Sequence, residues 1–173
     1  NAYQIKFEAR TKVLRSKISQ ALDLMAEMLF ETLFTDEKHL REVVAESRSR
    51  LKVRLMSAGH QAAAGRAAAQ FSKSSWLNDR SVGLGYYDYL VQLDEHFDEE
   101  KEALSQRLYA LTKKIFRPDN MMISYTAARE GLEGMEPRIA ELAGKLNHEN
   151  VTETPCIIHC EKKNEGFKTA SKV

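Results

Sequence analysis

The sequence is poor in almost every feature that would announce a chemistry. Only two of its 173 residues are cysteines, Cys156 and Cys160. Two thiols near one end do not make a disulfide framework, and a reducing compartment is the simpler reading. No apolar run approaches the ~20 residues that a membrane-spanning helix needs, so no membrane partner is expected. Neither sign of charge dominates: 26 basic residues stand against 25 acidic ones. That balance leaves no electrostatic footprint for nucleic acid or anionic lipid. A secretory signal, an internal repeat and a low-complexity tract are also missing.

What is present suits a folded chain. Hydrophobic residues make up 43% and charged residues 29%, enough for a substantial core under a water-facing surface. The length fits one domain or one large domain piece. Asn1-Ala2 reads as a tag scar, and residues 3–173 as a single domain piece stopped inside its C-terminal strand.

Periodicity then divides the chain. Tyr3, Ile5, Phe7 and Ala9 alternate with Gln4, Lys6, Glu8 and Arg10, a strand pattern. From Leu14 to Leu33, apolar residues recur at helical spacing, including Ile18, Ala21, Leu22, Met25, Met28 and Leu29. This face is continuous, and the helix is expected at the centre of the core. Asp36 is a suitable N-cap for a second helix that turns Leu40, Val43, Val44, Leu51 and Leu55 inward. Gly59 marks a break, and the Ala-rich run from Ala62 to Ala69 favours helix. The stretch from Phe71 to Gly85, with Ser72, Ser74, Ser75, Asn78 and Asp79, reads as a loop. Val82–His96 is a further helix, Asp98 caps the next as far as Phe116, and Arg117-Pro118-Asp119-Asn120 is a turn. Met121–Ala127 and Cys156–Cys160 are short strand candidates. Between them Glu133–Leu146 is helical, with Pro137 in its first turn. Phe167–Val173 is expected to pair with Cys156–Cys160 through a hairpin at Lys163-Asn164-Glu165-Gly166. The expected class is α+β, with several long helices on one face of a small, mostly antiparallel sheet.

Few residues look chemical. His96-Phe97-Asp98-Glu99-Glu100 comes close to H-x-x-E-H, but Glu100 stands where a second imidazole must grip zinc. The plainer reading is an acidic helix start, with Glu99 and Glu100 favoured by the helix dipole. Cys156, His159 and Cys160 fail as a metal set. On a strand the cysteines would lie about 13 Å apart at about 3.3 Å per residue, with His159 on the other face. Gly59-His60, followed by Arg66, is the most distinctive local signal, yet no nucleophile or carboxylate accompanies His60 in sequence. Tyr86, Tyr87 and Tyr89 read as core rings with one at the surface. Lys162 and Lys163 are too few for a nucleic-acid patch. No catalytic, cofactor-binding or metal residue is therefore expected in this chain.

Several segments in order do carry a resemblance. Glu31-Thr32-Leu33-Phe34-Thr35-Asp36 ends the first helix, and Glu46-Ser47-Arg48-Ser49-Arg50-Leu51 follows. Then come Ser57-Ala58-Gly59-His60 with Arg66-Ala67, Gly83-Leu84-Gly85-Tyr86-Tyr87-Asp88-Tyr89-Leu90, and Asn164-Glu165-Gly166-Phe167. Together they resemble the presequence-protease branch of the insulinase, or pitrilysin-like, zinc metallopeptidases. The resemblance implies repeated α+β domains in two halves that close around a chamber. It also implies zinc and its motif in the parent's N-terminal domain. This chain then corresponds to the segment after the helical linker, on the non-catalytic side. The family's second-half Arg and Tyr would lie beyond Val173, so none of its catalytic or zinc residues maps here. The partners implied are other domains of the same polypeptide and the parent's peptide substrates. The location implied is cytoplasmic for a bacterial parent and an organellar matrix for eukaryotic relatives. A helical protein-interaction module without activity is the competing reading.

Overall fold

In the computed structural model, residues 5–152 and 157–166 are described, and among them helices are the only regular elements. They are α1 (Ile18–Phe30), α2 (Glu37–Ser57), α3 (Gly59–Ala68), α4 (Lys73–Val82), α5 (Leu84–Glu95), α6 (Phe97–Ile115), α7 (Arg129–Leu132) and α8 (Met135–Gly144). Short 3-10 turns at Arg15–Lys17 and Pro118–Asn120 complete the set. The expectation of an α+β fold is thereby corrected to an all-α one among the described residues.

The physical reason is the same at each misread segment. Alternation marks a strand only when a neighbouring strand takes up its N–H and C=O groups. Ile5 and Phe7 are 69% and 60% exposed, and the Phe7 ring meets Phe116 edge-on at 5.5 Å. Met122, at 85% exposure, lies in an equally unpaired 121–127 stretch. In 157–160 the alternation reflects burial on one side only: Ile158 is buried and Ile157 exposed. Tyr3 and Gln4, Cys156 and the tail from Phe167 onward lie outside the described residues.

The described chain divides into two compact units. The first holds residues 36–102 with 157–166, and the second holds 5–35 with 103–152, so residues 97–102 of α6 belong to one and 103–115 to the other.

In the first unit α5 packs against both α2 and α4, and α4 in turn against α3. Val44 and Leu51 from α2 and Leu84, Leu90 and Leu93 from α5 are buried, with Phe97 the most completely enclosed side chain. Leu90, Leu93 and Phe97 follow one another at helical three- and four-residue steps, which places them on one face. Asp36 caps α2 as expected, its Oδ1 accepting the His39 N–H at 3.0 Å. The stretch read as a loop is instead α4. Its serines are not loop formers here: Ser72 is the N-cap, with Oγ accepting the Ser75 N–H at 3.3 Å, the role for which a hydroxyl before a helix is suited. Asp98 is likewise not a cap. It lies in the first turn of α6, where it pairs with Arg41.

In the second unit the helix expected at the core centre is largely open. Leu14, Leu24, Met28 and Leu33 are 57–76% exposed, Leu22 is half-buried, and only Ala26 of α1 is buried. α1 packs on α8, and Arg138 of α8 donates to Glu141 Oε2 at 2.8 Å and to Asp23 Oδ1 at 3.0 Å. The C-terminal carbonyls of α6, which no helical N–H reaches, are taken up by asparagines. Asn147 donates to Lys113 O at 3.0 Å from its side chain and to Phe116 O at 2.8 Å from its backbone. Asn120 donates to Lys114 O at 3.1 Å. Gly134, at φ 75°, occupies the left-handed conformation at the start of α8 that suits glycine.

Candidate functional site

Polar groups are concentrated in the first unit, around one arginine. Arg66 lies on the last turn of α3, where a cation faces the negative end of the helix. Its Nη1 donates to Asp79 Oδ2 at 2.7 Å, while Nε and Nη2 donate to Glu165 Oε1 and Oε2 at 2.8 and 3.1 Å. Asp88 Oδ2 is 3.9 Å from Nη2. Three helices and the 157–166 segment thus converge on one guanidinium, whose planar fork suits paired carboxylate oxygens.

Asp79 is the only charged side chain buried among the described residues, at 5% exposure. The α4–α5 junction is shaped around it. The Gly85 N–H donates to Asp79 Oδ2 at 3.2 Å. A Cβ on Gly83 would sit 2.7 Å from Asp79 Oδ1, and one on Gly85 would sit 2.5 Å from Oδ2 and 3.1 Å from Arg66 Nη1. Glycine at both positions leaves room for the carboxylate to meet backbone and guanidinium together. A buried carboxylate needs such partners, because desolvation without them is costly.

The electrostatics follow from this geometry. The hydrogen bond to Glu165 is the largest influence raising Arg66 further above its ordinary value. The same bond holds the Glu165 carboxyl below the usual range. Asp88 moves the other way: partial burial raises its carboxyl, and proximity to Arg66 only partly offsets that.

A neighbouring cavity of about 190 Å³ is lined by Gln70, Trp76 and Arg80 together with Arg66, Asp79 and the side of the 157–166 segment. Arg80 stacks over the Trp76 ring at 5.0 Å.

The residues singled out in the sequence are scattered by the fold. His60 is exposed at the start of α3. His96 closes α5, its Nδ1 3.6 Å from Glu99, while Phe97 beside it points into the core. Cys160 is a half-buried free thiol and His159 is exposed. Tyr86 and Tyr87 are half-buried and Tyr89 is exposed. Lys163 is drawn to Glu161 at 3.8 Å. Among the described residues no three His, Cys, Asp or Glu side chains gather so as to hold a metal ion. No helix there is long and apolar enough to cross a membrane.

The Arg66 cluster is not legible in the sequence, because Asp79 falls in the stretch that reads as a loop. The available signal is Ser72 as a cap, followed about ten residues later by the Gly83-Leu84-Gly85 step.

Two relatives align with the chain. One is Protein HypA of Clostridium perfringens, 27% identical over 173 residues, all of this chain but 18% of that protein. The other is Presequence protease 1, chloroplastic/mitochondrial, of Arabidopsis thaliana, 28% identical over 141 residues, which is 82% of this chain and 13% of that protein. The chain therefore spans less than a fifth of the length of either relative. Residues 1–93, which include Arg66, Asp79 and both glycines of the cradle, match the family described as associated with the M16 peptidases of subfamily C. The resemblance read from the ordered segments is upheld, and the chain belongs to this peptidase-associated family.

Proposed function

We propose that this chain is a non-catalytic structural segment of a zinc-dependent peptidase, contributing wall and packing surface to a closed chamber in which short peptides are degraded. The observation that carries the reading is the alignment pattern. Nearly the whole chain aligns with a small slice of much longer proteins, one of them named a presequence protease. The chemistry of the Arg66 cluster supports it. Asp79 and Glu165 are both engaged by Arg66, an arrangement that fixes helices rather than one that leaves a base or nucleophile free for substrate. Zinc and its ligands belong to another domain of the parent, and the partners of this segment are the parent's other domains. Chamber closure excludes water and positions substrate, so a rigid wall matters to turnover without touching it. A bacterial parent places the segment in the cytoplasm, and a eukaryotic one in an organellar matrix.

The test compares this chain with the full-length parent. Elemental analysis should find zinc in the parent and none above background in the chain, and peptide hydrolysis should be EDTA-sensitive in the parent alone. Within the parent, Asp79→Asn should lower thermal stability and hydrolysis while zinc content stays unchanged. Stoichiometric zinc with EDTA-sensitive hydrolysis in the chain by itself would overturn the reading.

A further inference from the structure

Residues 157–166 form no helix, yet three unlike contacts hold them to the first unit. Ile158 is an apolar anchor, 4% exposed. Five residues on, the Gln70 side-chain amide brackets the main chain of Lys163: Nε2 donates to Lys163 O at 2.9 Å, and the Lys163 N–H donates to Oε1 at 3.1 Å. Two residues further, Arg66 forks the Glu165 carboxylate through Nε and Nη2. The Gln70 bracket touches backbone alone and so recognises an extended chain, as an added strand is recognised at a sheet edge. The Arg66 fork then demands a carboxylate at a fixed distance along it.

We propose that the α3–α4 face is a receptor for an extended acidic segment, filled by the chain's own residues 157–166 and open to the same chemistry presented in trans. The required pattern is an apolar anchor, a clamped backbone five residues later and a carboxylate two beyond that. This inference is independent of the peptidase reading.

The receptor half is pre-organised without the strap. Arg66 is held from behind by Asp79, and Asp79 by Gly85. The strap half rests on one buried side chain and on contacts near solvent, the Glu165 side chain being 38% exposed. Solvent-exposed ion pairs add little to stability, so opening of the strap is a local event well short of global unfolding.

Trp76, the sole tryptophan, lines the adjoining cavity and reports on the strap. In the full chain, Glu165→Gln removes the carboxylate charge and Lys163→Pro removes the clamped N–H. Each should shift Trp76 emission to the red and speed amide exchange in 157–166, with helix content by circular dichroism unchanged. A synthetic peptide of residues 157–166 added to either variant should then reverse the emission shift saturably. The same peptide with Gln at the position of Glu165 should bind several-fold more weakly.

Failure of the native peptide to bind at millimolar concentration would overturn the proposal, as would equal affinity for the Gln peptide. So would unchanged emission and exchange in both variants. Should Lys163→Pro unfold the protein, Glu165→Gln, a near-isosteric change on a half-exposed side chain, carries the test.

Discussion

The two units of this chain are both helical, but they are held by different forces. In the first, long apolar side chains from α2, α5 and the start of α6 meet in one core, with Val44, Leu51, Leu90, Leu93 and Phe97 buried together with Ile158. A buried carboxylate with a matched arginine is built into it. In the second, few side chains are fully enclosed: Ala26, Leu104 and Leu146 are buried, while Leu24, Met28, Leu33 and Leu132 are exposed. Its contacts are edge-on aromatic pairs, Phe30 with Phe116 at 5.8 Å and Phe34 with Tyr109 at 5.0 Å, and the asparagine caps on α6. A strong apolar stripe along a helix is therefore no measure of how deeply the helix is buried. α1 has the clearest periodicity in the sequence, yet α5, punctuated by glycine and three tyrosines, carries the core.

The comparison can be broken most directly by the same truncation in each unit. Leu90→Ala, at a site 3% exposed, should cost about 2–5 kcal/mol. Leu22→Ala, at a half-buried site of α1, should cost less than half of that. Denaturant unfolding of both variants decides the matter, and equal losses would mean that α1 is as much core as α5.

Next in size is the buried charge. Asp79→Ala leaves Arg66 facing Glu165 and the more distant Asp88, and deprives the Gly85 N–H of its acceptor. Breaking a fully buried pair costs about 3–5 kcal/mol. Arg66 keeps 23% side-chain exposure, so the loss should fall at or below the lower end. A thermal shift indistinguishable from wild type would remove the cluster from any structural role.

The glycines sharpen the point. Gly85→Ala forces a methyl against Asp79 Oδ2 and should destabilise by about 1–3 kcal/mol, as overpacking does. Gly65→Ala, inside α3 with nothing within 4 Å of the added carbon, should instead stabilise by roughly 0.5–1 kcal/mol through helix propensity. The opposite signs at two helical glycines test whether the close approach to Asp79 is real. Thermal unfolding of the two variants reads it out.

The smallest effect concerns pH. The Glu165 carboxyl is lowered in the folded chain by Arg66. Its contribution is therefore complete above the unfolded-state value and is lost as pH falls through the lower folded value. The stability gap between wild type and Glu165→Gln should be constant above about pH 5 and close below about pH 4, the range in which glutamate titrates. Asp88, raised chiefly by burial, has the reverse sign. Its ionised form costs stability at neutral pH, and protonation relieves that cost as pH falls. Asp88→Asn should thus raise stability at pH 7 and lose its advantage in acid. Chemical unfolding at pH 7, 5 and 3.5 separates the two.

How much of this is visible in the sequence depends on the range of the interaction. α2, α5 and α6 are legible because a 3.6-residue pattern and a cap such as Asp36 are local properties of the chain. The segments around Phe7, Ile123 and Ile158 mislead because alternation records which side is covered, not what covers it. At Ile158 the cover is helical, and the backbone of the nearby Lys163 is satisfied by the Gln70 amide instead of by a strand. α4 escapes notice because its serines and Asn78 weigh against a helix when judged by composition, although Ser72 is its cap. The site is legible only in fragments. Arg66 stands out beside Gly59-His60, but Asp79 lies 13 residues away and Glu165 lies 99 away. Only packing brings such residues together, and one sequence does not record it.

Native-state hydrogen exchange tests the central claim most directly, namely that the first unit, built on α5, is the stable core and the second is the looser one. The account predicts that amides of α5 between Tyr87 and Glu95 exchange slowest, near the rate of global unfolding. Those of α1, α7 and α8 should exchange through smaller local openings, and residues 5–10 and 121–127 should show no protection. Equal protection of α1 and α5, or slow, alternately protected amides in 5–10 or 121–127, would contradict it.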